Sequence, residues 1–298
     1  PPNAWKAARY THKITRCGDE KGTCMQRSIT RKSINDYKQY LLMVEKAHAT
    51  ITKYINEVER LSEYLEHNAL NKCALLEYRE TLAENFSSRT VNTKLAAING
   101  YLAFIGADEY KVQLLKVQRR AFIDESRELS AAEYKRLVNA ADVGGNERLS
   151  LVMQTICATG IRISELSCIT VDAVKERRME IRLKGKSRTV IIPSKLCKKL
   201  VEYARRQRID TGAVFRTKGG KPLDRANVCH DMKRLCDAAH VERSKVFPHN
   251  LRHLFARAFY SIEKNLSHLA DVLGHSSIET TRIYVAASSR QYERMLDK

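Results

Sequence analysis

Four short stretches of this sequence hold side chains that could do chemistry. The densest is "PHNLRHLFARAF", residues 248–259, which sets His249, Arg252 and His253 within a turn and a half of an expected helix. Three chemistries suit such a cluster: a metal held by imidazoles, a helix laid on DNA, or a site that grips a phosphate. The metal reading fails on local detail. A zinc-binding His-Glu-x-x-His helix needs Glu straight after its first His, but Asn250 stands there and no third ligand lies nearby. In "ATGIRISEL", Arg162 and Glu165 are three apart on one helix face, which alone spells only an ion pair. "KGKS" puts Lys184 and Lys186 at the tip of a hairpin turned by Gly185. In "LGHSSIETTRIY", Gly274 ends one helix and Ser276 with Glu279 forms the capping box of the next. His275 is then fixed in a tight joint, and Tyr284 lies about two turns along the new helix.

The elements that must hold these residues are mostly helical. In "TITKYINEVERLSEYLEH", Ile51, Tyr54, Ile55, Val58, Leu61, Tyr64 and Leu65 recur at the spacing of an amphipathic helix. Val91, Leu95, Ile98, Tyr101 and Leu102 make a second stripe, stopped by Gly106. With shorter helices near 34–45 and 72–84, residues 33–107 are expected to form a four-helix unit. Residues 108–127 are polar and weakly patterned, and read as a linker. Ser130 with Glu133 is a capping box that opens a second domain, 128–298, with a C-terminal tail from about 286. Within it "MEIRL" and "RTVIIP" predict a β-hairpin joined by "KGKS", and "GAVFRTKGGKPL" predicts a further strand and turn.

Charge narrows the function. The 298 residues carry a formal net charge of +19, and residues 131–298, with 32 Lys and Arg against 18 Asp and Glu, hold +14 of it. That balance favours a polyanionic partner. No run of apolar residues is long enough for a membrane span, and "PPNAWKAARYTHK" reads as neither signal peptide nor anchor. Residues 1–32 hold eight Lys or Arg against Asp19 and Glu20, a basic arm or solvated tail. Eight cysteines are scattered with no Cys-x-x-Cys pair, so free thiols in a reducing cytoplasm are expected rather than zinc or disulfides.

Taken together, "ATGIRISEL", "LKGKSRTVIIP", "PHNLRHLFA" and "LGHSSIETTRIY" match, in order, the signature boxes of the tyrosine recombinase (phage integrase and Xer-like) family, over roughly residues 33–298. The resemblance implies a mostly α protein with a small antiparallel β-sheet. It would be a two-domain, C-shaped DNA clamp made of a core-binding domain and a mixed α/β catalytic domain. It makes Tyr284 the nucleophile, Arg162 and Arg252 the catalytic arginines, Lys184 the catalytic lysine, and His249 and His275 the remaining site residues, with Glu165 orienting one of them. The expected outcome is a 3′-phosphotyrosyl link later attacked by a 5′ hydroxyl, with no cofactor, metal or ATP.

These residue types suit that chemistry. A phenol with a pKa near 10 needs nearby positive charge and a proton acceptor. Two guanidiniums hold the non-bridging oxygens with planar, permanently charged donors. An ammonium on a hairpin can protonate the leaving oxygen. The implied partners are double-stranded DNA with inverted half-sites and further copies of the chain, a dimer on one site and a tetramer in the synapse. Accessory DNA-bending proteins would join them in a cytoplasmic, nucleoid-associated location. The rival functions are a type IB topoisomerase and a non-catalytic DNA-binding regulator. Against the topoisomerase stands "VAASSRQYERMLDK" after Tyr284, read as a tail that docks on a neighbouring subunit through Tyr292, Met295 and Leu296.

Overall fold

The computed structural model describes residues 28–66, 69–117, 125–183, 186–217, 219–275 and 277–285. Most of the basic arm, Lys184, Gly185, Ser276 and the tail expected to dock on a neighbour lie outside them. The chain divides into two compact units, Pro1–Arg119 and Arg120–Lys298.

The first unit contains α1 (Arg31–Met43), α2 (His48–Leu65), α3 (Lys72–Asn85) and α4 (Ser88–Phe104). Their starts are written locally: the side chains of Thr30, Asn71 and Ser87 each accept a backbone N–H in the first turn of the helix that follows. The two stripes expected from periodicity face each other. Ile51, Val58, Leu61 and Leu65 of α2 and Val91, Leu95, Ile98 and Leu102 of α4 are buried. Gly106 follows α4 with φ +66°, the left-handed turn that stops the helix. Between α2 and α4 the buried Lys94 ammonium meets the buried Glu57 carboxylate at 2.7 Å.

The polar stretch after α4 is not loose at its start. Asn99 exchanges two hydrogen bonds with the backbone of Val112, at 2.8 and 3.1 Å. About two turns back along α4, Asn92 does the same with Leu115, at 2.8 and 2.7 Å. Val112 is buried beneath this clasp. Residues 108–115 therefore lie along α4 rather than free of it.

The second unit is built around α6 (Glu147–Thr159), which packs on α5 (Ala131–Val143) and α11 (Pro248–Glu263). Leu149, Leu151, Val152, Met153 and Ile156 of α6 are buried, so apolar residues point almost all round it. The Ser130–Glu133 capping box is present at the start of α5. Next come α7 (Val171–Glu176), then β1 (Arg178–Leu183) and β2 (Lys186–Ile191), which pair antiparallel from Arg178 opposite Ile191 to Leu183 opposite Lys186. Lys186 and Ser187 thus belong to the strand, not to the turn expected from "KGKS". Pairing of Arg182 with Ser187 and of Leu183 with Lys186 carries the ladder through both residues. The strand expected in "GAVFRTKGGKPL" is reduced to isolated bridges, Thr170 with Ala213 and Arg216 with Pro222. Its Gly-Gly-Lys-Pro run favours a turn over a ladder.

After α8 (Ser194–Arg206), α9 (Arg225–Arg234) and α10 (Cys236–Ala239), the chain ends its described part in α11, α12 (Leu266–Leu273) and α13 (Ile278–Val285). Tyr284 of α13 packs with Ala256, Leu269 and Leu273 as one small cluster, against which Phe255 and Phe259 rest. Among the described residues no helix is long and apolar enough to cross a membrane.

Candidate active site

Two helix ends build the floor of the site. Helices α6 and α12 both stop at a left-handed glycine, Gly160 (φ +65°) and Gly274 (φ +65°). Their last carbonyls, left without an intrahelical partner, are acceptors waiting for cations. Arg252 of α11 supplies one. It is 1% exposed and donates through Nη1 to Gly160 O at 2.5 Å and through Nη2 to Leu273 O at 2.7 Å. Its Nε is buried with no hydrogen-bond partner. Burial, then the charge of Arg162, pushes its pKa down to about 10, so it still carries its proton at neutral pH.

Arg162 reaches the same place from the other side. It precedes a 3-10 helix, Ile163–Cys168, rather than lying in the α-helix expected from the Arg-x-x-Glu spacing. Glu165, buried, accepts from the Arg162 backbone N at 2.8 Å and from its Nη1 at 3.0 Å. The second guanidine nitrogen of Arg162 lies 3.4 Å from Gly274 O. Glu165 also accepts from Arg188 of β2 at 2.5 Å, and Arg188 donates to Val272 O at 2.9 Å. One carboxylate and one arginine thus tie β2, the Arg162 turn and the end of α12 together. A Cβ on Gly274 would come within 2.7 Å of Arg188 Cδ, which is why only glycine fits there.

Tyr284 is buried, its ring facing three imidazoles. His253 is at 4.2 Å between centroids, His275 at 5.2 Å and His249 at 5.5 Å. Its hydroxyl is 3.2 Å from His249 Nε2. His275 hydrogen-bonds Arg252 Nη2 through Nε2 at 2.9 Å and Thr281 Oγ1 through Nδ1 at 2.8 Å. Burial first, then nearby positive charge, pushes both His249 and His275 down to about 4. For His249, whose residue as a whole stays exposed, the charges are His253, Arg252 and Arg162; for His275 they are Arg252, Arg162 and Arg188. Both imidazoles are neutral at pH 7.

Arg162, Glu165, His249, Arg252, His275 and Tyr284 are therefore brought to one place from three separate stretches of chain, while Lys184 lies outside the described residues. Sequence reasoning passed over three further participants. Arg188 lies only four residues beyond Lys184, but its partners are 23 and 84 residues away, so no local spacing signals it. His253, part of the opening cluster but given no role there, has Nδ1 3.2 Å from Glu128 while its ring lies on Tyr284. Glu128 also pairs with Arg257. Among the described residues no group of three or more His, Cys, Asp or Glu could hold a metal ion.

A profile of the phage integrase family matches residues 127–291, and the phage integrase N-terminal SAM-like domain matches residues 34–109. The chain belongs to the phage integrase family. As a member of that family it is a DNA strand-transferring recombinase of the tyrosine type. Tyrosine recombinase XerA of Pyrococcus furiosus is 25% identical over 282 residues, 92% of this chain and 96% of its own. The fold is also that of the XerH site-specific recombinase bound to difH substrate in a pre-cleavage complex. There the TM-score is 0.67 at 19% identity, over 91% of this chain and 85% of that one. A lambda integrase tetramer bound to a Holliday junction gives 0.68 at 16% identity, over 87% and 78%.

Proposed function

We propose that Tyr284 is the nucleophile of this recombinase and that the side chains gathered around it divide the work of cutting and rejoining a DNA strand. The phenol oxygen attacks the scissile phosphorus and gives its proton to His249, neutral and within hydrogen-bond reach. Arg162 and Arg252 hold the non-bridging oxygens. Glu165 fixes Arg162. The bond to the 5′ oxygen breaks as Lys184 protonates it, leaving a 3′-phosphotyrosine. A 5′ hydroxyl of a partner strand then reverses these steps, so neither cofactor nor metal is consumed. His275, hydrogen-bonded to Arg252, steadies the guanidinium that holds the phosphate.

The observation that carries this reading is the seat of Tyr284, one hydrogen bond from His249 and ring to ring with His275, itself bonded to Arg252 of the same chain. That seat supports cleavage of the DNA held by the tyrosine's own subunit. The likeness to a lambda integrase tetramer on a Holliday junction supports a tetramer in the synapse, and with it a dimer on each pair of inverted half-sites. Accessory DNA-bending proteins and a nucleoid location belong to the same reading. So does the division into a basic arm (1–32), a core-binding domain (33–107), a linker (108–127) and a catalytic domain (128–298).

The test is covalent trapping. Wild-type protein is incubated with nicked duplexes carrying the sequence it enriches from a random pool. A protein–DNA adduct should form that Tyr284→Phe cannot make, with duplex binding retained. An adduct of equal yield from the substituted protein would overturn the assignment.

A further inference from the structure

Thr281 is fully buried on α13, three residues before Tyr284 and so on the same helix face. Its hydroxyl contacts an imidazole, and the hydrogens of that contact can be assigned. A guanidinium has five N–H donors and no lone pair to offer. At 2.9 Å from Arg252 Nη2, His275 Nε2 must therefore be the acceptor. An Nε2–H tautomer, or a protonated ring, would set two N–H groups against each other. Nδ1 then carries the hydrogen, and the atom receiving it is Thr281 Oγ1 at 2.8 Å. The pKa of about 4 for His275 agrees with a neutral ring. The backbone N–H of His275 donates to Ala270 O, which fixes the chain but not the ring.

We propose that Thr281 is a positioning residue: from the helix that carries the nucleophile, its hydroxyl sets the tautomer and the plane of His275, leaving Nε2 as the acceptor beside Arg252. The inference rests on the roles proposed for His275 and Tyr284. With Nδ1–H committed to Thr281, the ring cannot turn, and its Nε2 lone pair stays on the Arg252 guanidinium that is to hold the phosphate. The seating of α13 also becomes a condition for a correctly presented His275. If α13 shifts, the tyrosine and the histidine lose their places together.

The test pairs Thr281→Val, nearly the same shape without the hydroxyl, with Thr281→Ser, which keeps it, and Thr281→Ala as a smaller variant also lacking it. The first readout is the imidazole nitrogen resonances in protein labelled at histidine, with His275→Gln identifying the signal. Wild type and Thr281→Ser should give the Nδ1–H pattern, and Thr281→Val and Thr281→Ala should lose it. An Nε2–H pattern in the wild type, or an unchanged pattern in both hydroxyl-free variants, overturns the proposal.

The second readout is single-turnover adduct formation at saturating DNA. A misdirected imidazole should slow it roughly 10–100-fold in Thr281→Val and Thr281→Ala, with DNA affinity held. Thr281→Ser should restore it. Equal rates in Val and Ser variants overturn the proposal, whether both are fast or both slow. His275→Gln separates the underlying reading: wild-type cleavage by that variant would remove His275 from the chemistry, while the resonance test would still decide what Thr281 does to it.

Discussion

Glu165 carries more of the site than its position in a three-residue spacing suggests. Its carboxylate accepts from Arg162 twice and from Arg188 once, and its side chain is 2% exposed. Glu165→Gln removes the charge that balances a largely buried guanidinium, a loss of about 3–5 kcal/mol for a broken buried pair. We expect a lower unfolding midpoint in urea. Single-turnover cleavage should also fall by roughly 100-fold while duplex affinity changes little. Unchanged cleavage would reduce Glu165 to a structural residue. The imidazoles give a pH signature. His249 and His275 sit at about 4 in the folded chain against an ordinary value near 6.5, so between those values the unfolded chain binds more protons. Their contribution to stability is complete above about pH 6.5 and is lost as pH falls toward 4. Thermal melts should therefore drop between pH 7 and pH 4.5, and His275→Gln should flatten that drop. An equal drop in both proteins would reject the account.

The elements explain why two glycines flank the arginines. Each left-handed stop turns a helix end toward a guanidinium, and each helix C-terminus brings roughly half a negative charge to a crowded positive site. Gly160 is also a contact point, since a Cβ there would lie 2.4 Å from the Phe255 ring. Gly160→Ala should destabilise the second unit by about 2 kcal/mol or more, from backbone strain and overpacking together, as read by urea unfolding. A neutral result would mean that α11 can slide. Much of this scaffold was legible: the stripes of α2 and α4, the capping box at Ser130, the hairpin, and Gly274 as a stop are all short-range patterns. What the sequence hid is long-range or backbone-borne. The 3-10 turn after Arg162 follows from Glu165 folding back on a backbone N–H. The carbonyls of Gly160, Val272 and Leu273 carry no side-chain signal at all. Arg188 and Glu128 matter only through partners that tertiary folding supplies.

At the scale of the whole molecule the +19 charge and the order of residues along the chain govern behaviour. Binding through many phosphates makes duplex affinity steeply salt-dependent, and we expect a loss of about 10³-fold or more between 50 and 200 mM salt. A shallow slope in a filter-binding or anisotropy titration would mean that few phosphates are engaged. Deleting residues 288–298 should abolish strand exchange and spare nicking, if that tail is what joins subunits; recombination by the shortened chain would dismiss the tail's role. Helix α13 has one more consequence. It carries Tyr284 and the hydroxyl that steadies His275, and it follows both arginines and both other histidines of the site in the order of synthesis. A polypeptide halted by a nonsense codon or clipped ahead of Ile278 keeps its guanidiniums and much of its positive charge but lacks the proposed nucleophile. With Tyr284 as the proposed nucleophile, such fragments should bind DNA without breaking it, so damage to this end of the reading frame is expected to yield competitors of the intact protein rather than loose nucleases.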